Sequence, residues 1–377
     1  MLRFSRMPTS YRIAGLVLVA AGFATAISGC SLPFYLQAVG GHLELMRKCT
    51  PIERLLLDPN LDDTLRVELE NVTAIRRFAV AELDLPDNSS YTKYADIGRP
   101  YVVWNVVATD EFSVAPTRWC FPFAGCVTYR GFFERDKAER FRETLEREGL
   151  DTYIGGASAY STLGYFADPV LSTMIGGGTS NVASLLFHEL AHQKLYIKDD
   201  SAFNEAFASV IEEHGTERWL EREGGAAAVE AYRLRLKMRA GFADLVTRQQ
   251  VRLQEIYARR VPEQEKRAAK EQAFETMRAE YALMKEQWGG ANAYDAWFAQ
   301  PLNNATLASV ATYRRWLPAL RWRLEQQGLE KFYESMARLA VMTPVERAEQ
   351  LEAWLAEASA PRVLSQAGEL LGATLAP

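Results

Sequence analysis

The pentapeptide His188-Glu189-Leu190-Ala191-His192 constrains this chain more than any other stretch. Its histidines are four positions apart, and on a helix positions i and i+4 share a face, so both imidazoles can reach one point. Glu189 lies on an adjoining part of the same turn. Two neutral nitrogen donors beside a carboxylate form the donor set of a catalytic zinc ion and the base that deprotonates its water. A chain of 377 residues with only 4 histidines rarely produces this pattern through composition. Two histidines packed into a buried helix would leave Glu189 and the segment after the motif unexplained. Val182, Leu185, Leu186 and Leu190 give the helix apolar faces, and Thr179, Ser180 or Asn181 can cap it after the flexible Gly176-Gly177-Gly178.

A catalytic zinc ion needs a third protein ligand. The extended motif H-E-x-x-H-x-x-G-x-x-H is absent, because Leu195 stands at its glycine and Lys198 at its third histidine. His42 is remote, and His214 at the end of the next helix is a poor second choice. Glu205 is the better candidate. It sits in Phe203-Asn204-Glu205-Ala206-Phe207-Ala208, on a helix that Ser201 can cap and that ends at Gly215 or at Gly224-Gly225. A short loop lets this helix fold back and present the carboxylate, so one zinc ion bound by His188, His192 and Glu205 is expected. Zinc-bound histidines donate their other ring nitrogen to an acceptor, and Glu212 and Asp199 are the candidates.

The first residues belong apart from the fold. Arg3, Arg6 and Arg12 precede an uncharged apolar run that ends at Ile27-Ser28-Gly29-Cys30-Ser31. The run is too short for a comfortable membrane span, and small residues before a cysteine resemble a bacterial lipoprotein signal. Residues 1–29 are then a signal peptide, Cys30 carries the lipid, and the mature chain sits on the periplasmic face, at the outer membrane if Ser31 follows the sorting rule. Cys120 and Cys126 enclose a short turn and can close a disulfide, as suits that compartment. The net charge of −5 comes without a basic run, so no nucleic-acid partner is expected.

Residues 30–225 read as a catalytic core and 226–377 as a helical region contributing to the cleft. The helical region starts with a hairpin of helices, 226–260 and 263–287, broken at Pro262. Its charges read as a solvated face, with an envelope protein as an alternative partner. Strands are expected over 101–108, 112–114, 126–130 and 152–156, and again at 159–165. The fold class is helix-rich α+β, with a small sheet beside the metal helix.

The ordered set of motifs resembles a bacterial family of lipoprotein-type predicted aminopeptidases. The resemblance rests on Tyr35-Leu36-Gln37-Ala38 with Gly41-His42, and on residues 125–133. It continues through Gly155-Gly156, 159–164, Asp168-Pro169, 188–193 and 203–208, then Asn303-Asn304 and Tyr313. It implies a zincin-like core with a gluzincin-like site and aminopeptidase activity on a peptide substrate. The N-E-A-F-A stretch resembles the third-ligand segment of gluzincins, although Ser209 stands where some of them have an aspartate. Gluzincins stabilise the oxyanion with a tyrosine or histidine outside the motif, and Tyr313 is the first candidate. Asn303 and Asn304 are candidates for substrate binding or helix capping. Residues 159–164, with Tyr160, form a candidate edge strand for an extended peptide, and Arg130 can line the cleft or simply pack.

The clear G-x-M-E-N segment of large aminopeptidases is absent. A zinc endopeptidase of envelope quality control, or a tethered scaffold with a structural zinc, are the competing readings.

Overall fold

The computed structural model describes residues 32–121, 125–159, 161–162, 164, 166–310 and 315–360. The signal segment with Cys30, and the candidates Tyr160 and Tyr313, lie outside those residues.

The protein is a helix-rich α+β structure with three small sheets. Helices α1 (Leu32–Arg47), α2 (Ile52–Leu56) and α3 (Asp63–Leu83) open the described chain, with the two-residue strand β1 (Thr50–Pro51) between the first two. Asp62 caps α3 by accepting from the Leu65 amide at 3.0 Å. Strand β2 (Lys93–Ala95) lies between β1 and β8 (Val170–Leu171). The most regular sheet sets β3 (Val103–Thr109) between β6 (Arg130–Phe132) and β7 (Asp151–Ala157), all antiparallel. Helix α4 (Arg135–Arg147) covers this sheet, with Ala138 and Leu145 buried against Trp104, Val106 and Phe132. Strands β4 (Trp119–Phe121) and β5 (Gly125–Val127) form a separate ribbon, joined by a disulfide between Cys120 and Cys126.

The metal-motif helix is α5 (Thr179–Lys194), followed by α6 (Ser201–Glu223). These two pack against each other more extensively than any other described pair. Leu186, Phe187, Leu190, Phe203, Phe207 and Ile211 of these helices are fully buried and join the main core with α3, β2 and β8. The hairpin consists of α7 (Gly225–Ala258) and α8 (Glu263–Gln287). Val229 and Tyr232 at the start of α7 enter the main core, so the hairpin is tied to the metal helix at that end. Farther along, Phe242, Leu245, Val246 and Leu253 meet Phe274, Met277 and Tyr281 in a second core. Short helices α9 (Asp295–Phe298) and α10 (Asn304–Val310) supply Phe298 and Leu307 to that core. Helix α11 (Leu317–Ala340), interrupted at Gly328 with φ 76°, and α12 (Pro344–Ser359) complete the main core. Among the described residues, no helix is long and apolar enough to cross a membrane.

Several local expectations are corrected. Of the two stops the sequence offers, helix α6 runs through Gly215 and ends at Gly224. A Cβ at Gly215 would lie 2.5 Å from Leu83 Cδ1 and 2.8 Å from Phe187 Cδ2, so this glycine permits close packing with α3 and α5. Asp200, rather than Ser201, caps α6 by accepting from the Phe203 amide at 3.1 Å. Helix α5 starts at Gly178 without a side-chain cap. Residues 112–114 form a loop after a turn closed by Ser113 N to Asp110 O at 3.1 Å. The described residues of 159–165 also form a loop. Here the buried Asp168 carboxylate accepts from the Thr162 amide at 2.9 Å and its hydroxyl at 2.8 Å, which turns the backbone away from strand pairing.

Candidate metal centre

Helix α5 places His188 and His192 one turn apart on the face that meets α6, and α6 places Glu205 opposite them. The two Nε2 atoms are 3.2 Å apart. Glu205 Oε2 lies 3.4 Å from His188 Nε2, and Oε1 lies 3.5 Å from His192 Nε2. Tetrahedral bonds of about 2.0–2.1 Å put neighbouring ligand atoms roughly 3.3–3.4 Å apart. The three donors therefore have the mutual spacing of three corners of a zinc tetrahedron. Two imidazole nitrogens facing each other beside a carboxylate are held together by a shared N–H proton or by a metal ion. Among the described residues, no fourth histidine, cysteine or acid joins the cluster, which leaves room for water or substrate.

The charges around His188 favour a cation. Its Nδ1 lies 3.1 Å from Glu212 Oε2, so Glu212 rather than the exposed Asp199 is its partner. Burial alone would lower the His188 pKa, but hydrogen bonds to Glu205 and Glu212 outweigh it and hold the pKa up at about 10. His192 has no such carboxylate on its Nδ1, which is buried without a hydrogen-bond partner among the described residues. Burial and the neighbouring His188 charge pull its pKa down to about 4. Burial would raise the pKa values of Glu205 and Glu212, yet their bonds to His188 leave both below the ordinary glutamate value.

Glu212 belongs to a longer chain of charges. Its Oε1 accepts from Arg239 of α7 at 2.8 Å, and Arg239 also donates to Glu213 at 2.8 Å. Arg321 of α11 donates to the other oxygen of Glu213 at 2.6 Å. The hairpin and α11 therefore brace the acceptor that orients His188.

Glu189 faces a different group. Burial raises its pKa, Glu205 and Asp168 add to the rise, and His188 and Ser161 oppose it. A carboxylate with a raised pKa is suited to taking up and returning a proton. Tyr91 is buried nearby in a left-handed backbone conformation, φ 60°, with its amide donating to the Asp168 carbonyl at 2.6 Å. Burial, with Glu189 and Asp168 close by, pushes its phenol well above the usual tyrosine range. A cleft of about 560 Å³ opens beside His188 and Glu189, walled on the far side by Tyr232, Arg235 and Arg239 of α7.

A family model described as "Putative aminopeptidase" matches residues 33–351. The chain belongs to that family. No curated protein and no solved structure matches it. The family match extends from α1 into α12 and so includes the metal helix, the hairpin and the bracing Arg321.

The other candidate residues have distinct placements. Asn303 caps α10, its Oδ1 accepting from Thr306 N at 2.9 Å while its Nδ2 donates to Thr152 O at 2.8 Å. Asn304 is fully buried and ties the hairpin to the sheet, accepting from Tyr257 Oη at 2.8 Å and donating to Glu111 O at 2.9 Å. Neither lines the cleft beside the motif. Arg130 packs over the rings of Phe141 and Phe132, 4.7 and 5.6 Å from their centroids. His214 faces a separate hollow with Glu213 and Arg321, and the His42 ring lies tilted against Phe166, 5.0 Å between centroids. Arg235, Arg239, Arg321, Glu213 and Tyr91 carry no local sequence signal, and Asp168 carries only the family resemblance at Asp168-Pro169.

Proposed function

We propose that this protein is a zinc-dependent peptidase, with His188, His192 and Glu205 as ligands of one zinc ion and Glu189 as general base. The observation that carries the reading is the triangle of donors at 3.2, 3.4 and 3.5 Å with Glu189 beside it in an open cleft. Family membership favours aminopeptidase over endopeptidase activity. The gluzincin-like, zincin-type core is part of the same proposal, supported by the helix that returns Glu205 to the motif.

Zinc bound here supplies a Lewis acid that lowers the pKa of a coordinated water and polarises the scissile carbonyl. Glu189 accepts the proton of the attacking water and delivers it to the leaving amine nitrogen. Its raised pKa narrows the gap between the proton's donor and acceptor. Glu212 keeps the His188 ring oriented, and Arg239 keeps Glu212 in place. Tyr313 is retained as the proposed oxyanion donor on the family resemblance alone.

We place the enzyme on the periplasmic face of the envelope, tethered through Cys30. The basic, apolar and Ser-Gly-Cys segments of the first thirty or so residues support that reading.

The experiment is zinc-dependent digestion of a peptide library by the mature chain, with product ends mapped. Stepwise loss of N-terminal residues, blocked by N-acetylation, is the expected result. Equal cleavage of acetylated peptides would replace the aminopeptidase reading with an endopeptidase one. No cleavage of any peptide, with zinc bound, would remove both.

A further inference from the structure

The charged side chains of the cleft beside the motif differ in how far they are already paired. Among its described lining residues, the acids are Glu189 and Glu212 and the cations are Arg235 and Arg239. Glu189 serves as base and Glu212 holds His188. Arg239 is engaged by both Glu212 and Glu213 at 2.8 Å. Arg235, one helical turn earlier on α7, is different. Its guanidinium donates to the Asn181 side-chain oxygen and to Ser180 Oγ at 3.3 Å, and it lies 5.0 Å from the ring centroid of buried Tyr232. Its partners are neutral, and among the described residues no carboxylate pairs with it. A guanidinium has five N–H donors in a planar fork suited to a carboxylate. Here the fork is already held in place by its neutral partners and the ring beneath it, so little ordering cost remains for a ligand.

From this arrangement we infer that Arg235 is a specificity residue that binds a carboxylate of the peptide substrate. The inference rests on the peptidase reading of the metal site. Ser180 and Asn181 lie two turns before His188 on α5, and a rise of about 1.5 Å per residue puts them roughly 10–12 Å from it along the helix. An extended peptide covers that span in about three residues, at about 3.3 Å each. The carboxylate bound at Arg235 is therefore carried about three residues from the scissile bond. It is either the free C-terminus of a short peptide or an acidic side chain at that position. Both present the same chemistry to the guanidinium.

The test uses the zinc-loaded full chain and three probes: tetra-alanine as the free acid, tetra-alanine amide, and amidated Ala-Ala-Ala-Asp. A charge-assisted contact makes kcat/KM for the free acid roughly 10- to 100-fold higher than for the amide. Arg235→Ala brings that ratio to about one, and Arg235→Lys keeps part of it. If the aspartyl amide matches the free acid, either kind of carboxylate serves. If it matches the plain amide, the terminal carboxylate alone is read. A ratio near one in the wild type, or one unchanged in Arg235→Ala, overturns the inference. Binding of the same peptides to the Glu189→Gln variant, measured by calorimetry, separates this inference from the peptidase reading. Absence of cleavage sinks the latter, whereas equal binding of acid and amide, or no binding of either, sinks the role of Arg235.

Discussion

His188 Nδ1 lies 3.1 Å from Glu212 Oε2, so the metal motif is oriented by a carboxylate two turns beyond the proposed third ligand on the same helix. Helix α6 thus approaches His188 twice, with Glu205 at its Nε2 and Glu212 at its Nδ1. A ring held at both nitrogens has one orientation, so its Nε2 is directed at one point before any ion arrives.

Glu212→Gln keeps the shape of that contact and removes its charge. Zinc affinity is expected to fall by about 10- to 100-fold, the usual effect of losing such a partner. Competition with a chromophoric chelator measures it. Unchanged affinity would show that Glu212 does not tune the ligand.

Arg239→Met removes the cation shared by Glu212 and Glu213, which are 8% and 6% exposed. Two buried carboxylates then face each other with less compensation. The expected loss is about 2–3 kcal/mol of folding stability, below the full cost of breaking a buried pair because Arg239 is itself partly exposed. Urea denaturation reads the change, and a shift within a few tenths of a kcal/mol would contradict it.

Gly215→Ala separates helix propensity from packing. Propensity alone would favour alanine by about 1 kcal/mol. The added Cβ would instead meet Leu83 and Phe187 at 2.5 and 2.8 Å, and the latter residue adjoins His188. A net destabilisation of about 1–3 kcal/mol is expected, together with weaker zinc binding. A stabilised variant would show that α6 does not rest on α5 at this point.

Zinc binding near pH 7.5 should release about one proton from the ligand histidines. With a pKa of about 10, His188 is protonated at that pH, and a metal ion at Nε2 displaces the proton. With a pKa of about 4, His192 is already neutral and releases none. Calorimetry in buffers of different ionisation enthalpy counts the protons. Release of none would contradict the arrangement around His188.

The parts of this structure legible in the sequence are those encoded by local spacing. The i, i+4 histidines required a helix, and α5 is that helix. Pro262 divided a long charged stretch, and α7 and α8 are the resulting hairpin. Glu205 among apolar neighbours pointed to a helix face turned inward, and α6 brings it to the histidines. What was not legible depends on distant contacts. Arg235 and Arg239 lie on a helix with many other arginines, and only the docking of α7 against α5 and α6 distinguishes them. Residues 159–165 have the side chains of a strand, but capture by the Asp168 carboxylate outweighs that local preference. Gly215 and Gly224 read as equal candidates for the end of α6 until Phe187 and Leu83 are set against Gly215.

The most direct test of the metal-site account is to measure zinc content and peptide turnover of Glu189→Gln beside the wild-type chain. The account predicts one zinc ion per chain in both proteins and turnover reduced by about 10²- to 10⁴-fold in the variant, the usual contribution of a general base. Turnover retained by Glu189→Gln, or a wild-type chain that binds no zinc, would contradict it.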